Sequence, residues 1–114
     1  MKLFWLLTSL LTLGCVFDAT AQRICKVDNL DKADLVVYVS NYSQDADLLV
    51  YRVDSWAQAR NNNGRWYFDQ NPLSADFKIR MTKDPKTADL VICYVDYLTE
   101  SGWRNISKSR LLRK

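Results

Sequence analysis

The chain contains no histidine, so it lacks the usual general base, and Ser-His-Asp and Cys-His catalysis are excluded. Nearly all familiar zinc sites go with it, and its few cysteines cannot build a thiolate-rich one. Gly14, Gly64 and Gly102 lie far apart, so no phosphate-binding loop or dinucleotide fingerprint occurs. Carboxylates remain. Asp28, Asp31 and Asp34 recur at a spacing of three, which raises calcium. Calcium loops place oxygen ligands at alternate positions with a Gly and a closing Glu. None of that is here, and these aspartates read instead as acceptors for nearby backbone N–H groups. Asp54 and Asp96 occupy equivalent places in a repeat and form the one carboxylate pair that symmetry could bring together. Two such groups serve glycosidases, so a small cell-envelope hydrolase is the alternative to a non-catalytic protein, although equivalent residues in a duplicated fold need no function to recur. No catalytic residue, metal or cofactor is expected.

The binding candidates are aromatic. Trp56, Trp66, Tyr67 and Trp103, with Arg60, Arg65 and Arg104 nearby, would make a stacking surface for sugars or a partner. The competing reading puts the same rings in the core, since Trp and Tyr bury large areas and a small chain needs them there.

These residues are carried by a repeat. Ala33-Asp34, Ala46-Asp47, Ala75-Asp76 and Ala88-Asp89 each open an apolar, β-rich run. The alanines are spaced 13, 29 and 13 residues apart, and Val53-Asp54 falls on Val95-Asp96 at an offset of 42. That order is a duplication. Leu35–Val39, Leu48–Val53 and Leu90–Val95 read as strands covered on both faces, Arg52 being the single charged residue in the second. Phe77 to Met81 alternates with Lys78 and Arg80, which predicts one wet face and a place near a sheet edge. Ser55–Arg60 predicts a short helix ended by Asn61-Asn62-Asn63-Gly64. Arg65–Phe68 is a further strand candidate, and Lys108 onwards reads as a basic tail, frayed or weakly helical.

The first residues carry targeting chemistry. Lys2, the apolar run Leu3 to Gly14 and Ala19-Thr20-Ala21 predict a signal peptide over 1–21, cut before Gln22; the run is short for a membrane anchor. Leu13-Gly14-Cys15 resembles the end of a lipoprotein box, so an anchor at Cys15 is the alternative, although Thr12 departs from it. Export leaves Cys25 and Cys93, an even pair that predicts a disulfide, with two free core thiols as the other reading. The net charge of +3 is too small to nominate nucleic acid.

The segments Ala33–Val39, Ala46–Asp54 and Ala88–Tyr97, ending in Gly102-Trp103, resemble a small bacterial family of unknown function, the septoil-knot (Septknot) domain. The likeness runs from about residue 23 to 105. It implies a backbone tied in a seven-crossing torus knot and brings no catalytic residues. The sequence therefore predicts a single β-rich α+β domain, 22–106, deeply knotted, closed by Cys25–Cys93 and followed by the tail 107–114. Its expected role is structural or ligand- or partner-binding, secreted or periplasmic, toward a cell-envelope or extracellular ligand, with an oligomer open.

Overall fold

The computed structural model describes residues 22–113; the expected signal peptide and Cys15 lie outside the described residues. Seven strands form one sheet: β1 (Arg23–Lys26), β2 (Leu35–Val39), β3 (Leu48–Arg52), β4 (Arg65–Phe68), β5 (Phe77–Thr82), β6 (Leu90–Tyr94) and β7 (Gly102–Trp103). Their order is β4-β1-β5-β2-β6-β3-β7, and β3 also pairs with β4. The sheet is therefore closed. Six parallel strands make a barrel, and β7 lies antiparallel on β3 at Leu48 and Leu49, leaving Tyr51 and Arg52 to bond β4.

This corrects the α+β expectation. Among the described residues every helical element is a 3₁₀ segment, and the fold is essentially all β. The helix expected over Ser55–Arg60 is a single turn, Trp56–Gln58, and Ser55 makes no side-chain cap. Connections between the parallel strands run only seven to twelve residues, too few for a packed crossover helix. The edge placement of the third repeat is corrected too, because β5 lies between β1 and β2. Its alternation is that of a barrel wall: Phe77 and Ile79 fill the interior while Lys78 and Arg80 face outward.

The halves interleave. Each of β1, β2 and β3 begins 42 residues before β4, β5 and β6 respectively, and around the barrel the two sets alternate. Ile24, Leu35, Val37, Leu48, Val50, Trp66, Phe77, Ile79, Leu90 and Ile92 fill the interior at every second position. The outer positions of β2, Val36 and Tyr38, are half-buried rather than fully covered. In the expected basic tail, Ile106–Leu112 forms a 3₁₀ segment whose Leu112 joins the core. Leu112 O accepts from Gln22 Nε2, and Ser109 O accepts from Asn62 Nδ2.

The Ala-Asp motif has a physical job. Four of the five connections between the barrel strands wind one 3₁₀ turn capped by a small alanine, at 33, 46, 59 or 88, and at Ala33, Ala46, Ala75 and Ala88 the next residue is an aspartate. The following aspartate then grips the neighbouring strand twice. Asp34 N–H donates to Lys78 O (2.6 Å) and its carboxylate accepts from Lys78 N–H (2.7 Å). Asp47 does the same with Val91, Asp76 with Arg23 and Asp89 with Val36. These charge-assisted bonds hold each strand in one register against its neighbour. The calcium reading of Asp28, Asp31 and Asp34 ends here, because Asp34 is committed to β5.

The register also fixes the barrel's shape. Ile24 faces Phe77, Ile79 faces Leu35, Val37 faces Leu90 and Ile92 faces Leu48. The circuit closes through Tyr51 on Arg65 and Tyr67 on Arg23. Each move to the next strand climbs two residues, except three from Leu48 to Tyr51 and one from Arg23 back to Ile24, so a full circuit advances twelve. With a rise of ~3.3 Å and a strand spacing of ~4.7 Å, six strands are tilted about 55°, steeper than the usual ~35–45°.

Candidate functional site

All six barrel strands run the same way, so their C-terminal ends share one mouth. The last inward positions there are Lys26, Val39, Arg52, Phe68, Met81 and Tyr94, one from each strand. Val39, Phe68, Met81 and Tyr94 pack on the core. The other two are cations, and they stack on the aromatics. The Arg52 guanidinium sits 3.9 Å from the Tyr94 ring centre and 5.4 Å from Phe68; Lys26 Nζ sits 5.0 Å from Phe68. Trp66 and Tyr94 meet Phe68 edge-on at 5.9 and 6.4 Å. Such stacks are worth about 0.5–2 kcal/mol each and hold the charged groups over the mouth.

Two recesses meet at Arg52. The first, of about 360 Å³, is lined by Cys25, Lys26, Arg52, Phe68, Asp69 and Gln70. Burial, then the charge of Asp69, pushes the Cys25 thiol above its ordinary pKa against the pull of Lys78. The second, of about 330 Å³, has Arg52, Arg60 and Arg65 in its wall with Asp54, Tyr51 and Gln58. Among the described residues the ion pair is Lys108 with Asp47, so Asp54 neutralises none of these arginines by direct contact. Arg60 Nε donates to Ala57 O at 2.9 Å, which leaves its terminal nitrogens uncommitted by that bond. Arg65 Nε is buried with no partner among the described residues.

The candidates from sequence scatter. Trp66 is wholly inside the barrel. Tyr67 is half-buried on the outer wall. Trp103 packs against the core and donates from Nε1 to Asn62 O at 2.8 Å. Trp56 is exposed beneath Arg23, 4.3 Å from its ring centre. They form no common platform; of that group Arg60 and Arg65 share the wall of the second recess. Asp54 shares it, whereas Asp96 is exposed and absent from its wall. The expected Cys25–Cys93 disulfide is corrected: both thiols are free. β1 and β6 are separated by β5 and β2, three spacings of ~4.7 Å, beyond the reach of a disulfide. Sequence reasoning missed Lys26 as a mouth residue and noted Arg52 only as a charge in an apolar strand. The available signal was phase, because both stand where alternation calls for an inward apolar side chain.

The geometry thus defines a small parallel β-barrel whose strand ends share one cationic, aromatic mouth. Residues 21–104 match the family described as the 7(1) septoil knot domain, and the chain belongs to that family. No curated protein and no solved structure matches it.

Proposed function

We propose that the domain is an exported, non-catalytic binding module whose C-terminal mouth receives an anionic ligand of the cell envelope or the extracellular space. One observation carries this reading. The repeat-equivalents of Lys26 and Arg52, 42 residues on, are Phe68 and Tyr94. The fold is thus content with an aromatic at either place, and two cations stand over apolar rings where packing does not require them. Parallel sheets offer ligands their strand C-termini, and a focused positive field gathers anions from solution.

The test is retention on heparin, as a sulfated glycan probe, against neutral dextran at two salt concentrations. The protein should bind heparin, lose it at high salt and ignore dextran. The double variant K26Q/R52Q should elute at markedly lower salt, while K83Q/K86Q, with the same change in charge, should shift less. Equal shifts would reduce the mouth to general basicity and end the reading. Intact mass of the secreted protein tests export: a chain starting at Gln22 supports it, and a lipid-modified one starting at Cys15 contradicts the soluble form.

A further inference from the structure

We infer that the recess between Arg52, Arg60 and Arg65 is a subsite for a tetrahedral oxyanion ester on a sugar-sized molecule, a phosphate or sulfate monoester. The inference rests on the mouth being a binding site and names the group bound there. Three guanidinium side chains line one recess with a single carboxylate, Asp54, which stands within ion-pair distance of none of them. Each is prepared differently. Arg52 is held against the Tyr94 ring at 3.9 Å, so its N–H groups point out from its edge. Arg60 is steadied by its Nε bond to Ala57 O, leaving the terminal fork for a ligand. Arg65 keeps an Nε–H buried with no acceptor among the described residues. A buried donor without a partner costs stability, and a turn of the side chain that brought it to an oxyanion oxygen would supply what it lacks. Arginine forks match phosphate and sulfate oxygens in pairs.

Size then argues for more than a bare ion. The recess, about 330 Å³, falls at the small end of small-molecule pockets, which run ~300–1,000 Å³, and exceeds what one oxyanion fills. Its remaining wall suits a sugar: Tyr51, Ala57 and Leu98 offer apolar surface, while Gln58 and Asp54 offer an amide and a carboxylate to hydroxyl groups. A molecule anchored by its ester group at the arginines would lay its ring along that side.

The experiment is calorimetric titration of the whole protein with glucose 6-phosphate, glucose 6-sulfate, inorganic phosphate and glucose. One or both esters should bind, inorganic phosphate should bind more weakly and compete, and glucose should give no heat. Which ester wins identifies the oxyanion. R60Q should weaken ester binding about tenfold, the loss of one or two charge-assisted bonds. R65Q should do so as well, and R65K, which keeps charge without the fork, should not restore it. Because Arg65 lies in a strand, the exposed Arg60 variant decides if R65Q folds poorly. The inference is overturned if glucose binds as well as its esters, if free phosphate binds as tightly as they do, or if R60Q leaves affinity unchanged. Heparin retention without ester binding would overturn this subsite alone; loss of both would remove the mouth as well.

Discussion

Replacing Asp47 by Ala should destabilise the barrel far more than the same change at Asp89, although the two aspartates are repeat-equivalents with the same backbone grip. The Asp47 carboxylate accepts from Val91 N–H at 2.9 Å, Lys108 Nζ at 3.2 Å and Asn105 Nδ2 at 3.3 Å, and is 15% exposed. Losing the charge-assisted bond to a partly buried N–H costs about 1.5–3 kcal/mol. The Lys108 pair adds at most ~1 kcal/mol, since that lysine is a third exposed and screened by water. The total is about 2–4 kcal/mol, a large share of the ~5–15 kcal/mol that holds a domain folded. Asp89 is exposed and, among the described residues, its carboxylate holds only Val36 N–H, at 2.8 Å. Water can replace it there, so about 0.5–1.5 kcal/mol is expected. At roughly 4–8 °C per kcal/mol for a domain of this size, Asp47→Ala should lower Tm by about 8–32 °C and Asp89→Ala by about 2–12 °C. Asp47→Asn keeps an acceptor for Val91 and should fall between wild type and Asp47→Ala. Thermal and urea unfolding followed by circular dichroism, at 0.1 and 1 M salt, measures all three, and salt should remove only the Lys108 share. If Asp47→Ala costs no more than Asp89→Ala, or Asp47→Asn costs as much as Asp47→Ala, the clamps do not set stability in the way argued.

Other outcomes follow from single positions. Gly64 has φ +91°, and a Cβ there would strike the carbonyl oxygen of Leu49. Gly64→Ala should therefore cost about 3 kcal/mol or more in urea unfolding, whereas Gly102→Ala, at φ +143° in open space, should cost only about 1–3 kcal/mol from backbone strain. Leu112→Ala should cost about 2–5 kcal/mol by leaving a hole in the core. A result near zero would mean that the C-terminal segment is not a working part of it. Because the folded state holds the Cys25 proton more tightly than the unfolded chain does, stability should fall as pH rises past the ordinary thiol range near ~8.5. Cys25→Ala should flatten that slope, and a slope unchanged by the substitution would assign it to another group. Alkylation at neutral pH should be slow, and reduced and non-reduced masses should agree.

The strands were legible because their signal is local. Leu35–Val39 and Leu90–Tyr94 announce themselves by β-branched and apolar content, and the alanine spacings gave the duplication. Closure was not legible. A strand with one wet face reads the same at an open edge and in a barrel wall, so Lys78 and Arg80 pointed to an edge. What settles the matter is pairing between residues some 44 or 53 positions apart, as in Asp34 with Lys78 and Asp89 with Val36. Helix was expected after Asp54 because composition there permits it, yet a tightly wound chain leaves room for one 3₁₀ turn. Counting cysteines supplied a pair but no distance between them. At the site, residue type singles out the aromatics, but phase decides which way each one points. Phase puts Trp66 and Phe68 inside and Arg65 and Tyr67 outside, and it marks Lys26 and Arg52 as charges in apolar places.

The steep tilt explains how parallel strands manage without crossover helices, and it bears on where recognition can reside. A five-residue strand is ~16 Å long, but at about 55° it advances only about 9 Å along the barrel axis. The chain leaving such a strand must come back by that small amount while passing over one neighbour. Seven or eight residues, in three of these four links with one 3₁₀ turn among them, cover this with slack, since an extended residue spans up to ~3.3–3.6 Å. Connections this short lie against the wall and end in Ala-Asp clamps, so most leave little chain for a long binding loop. The exception is the twelve-residue link from β3 to β4, which supplies Asp54, Ala57, Gln58 and Arg60 to the arginine recess. The longest of the described links between barrel strands therefore runs beside the mouth, where Arg52 and Arg65 frame it at its two ends.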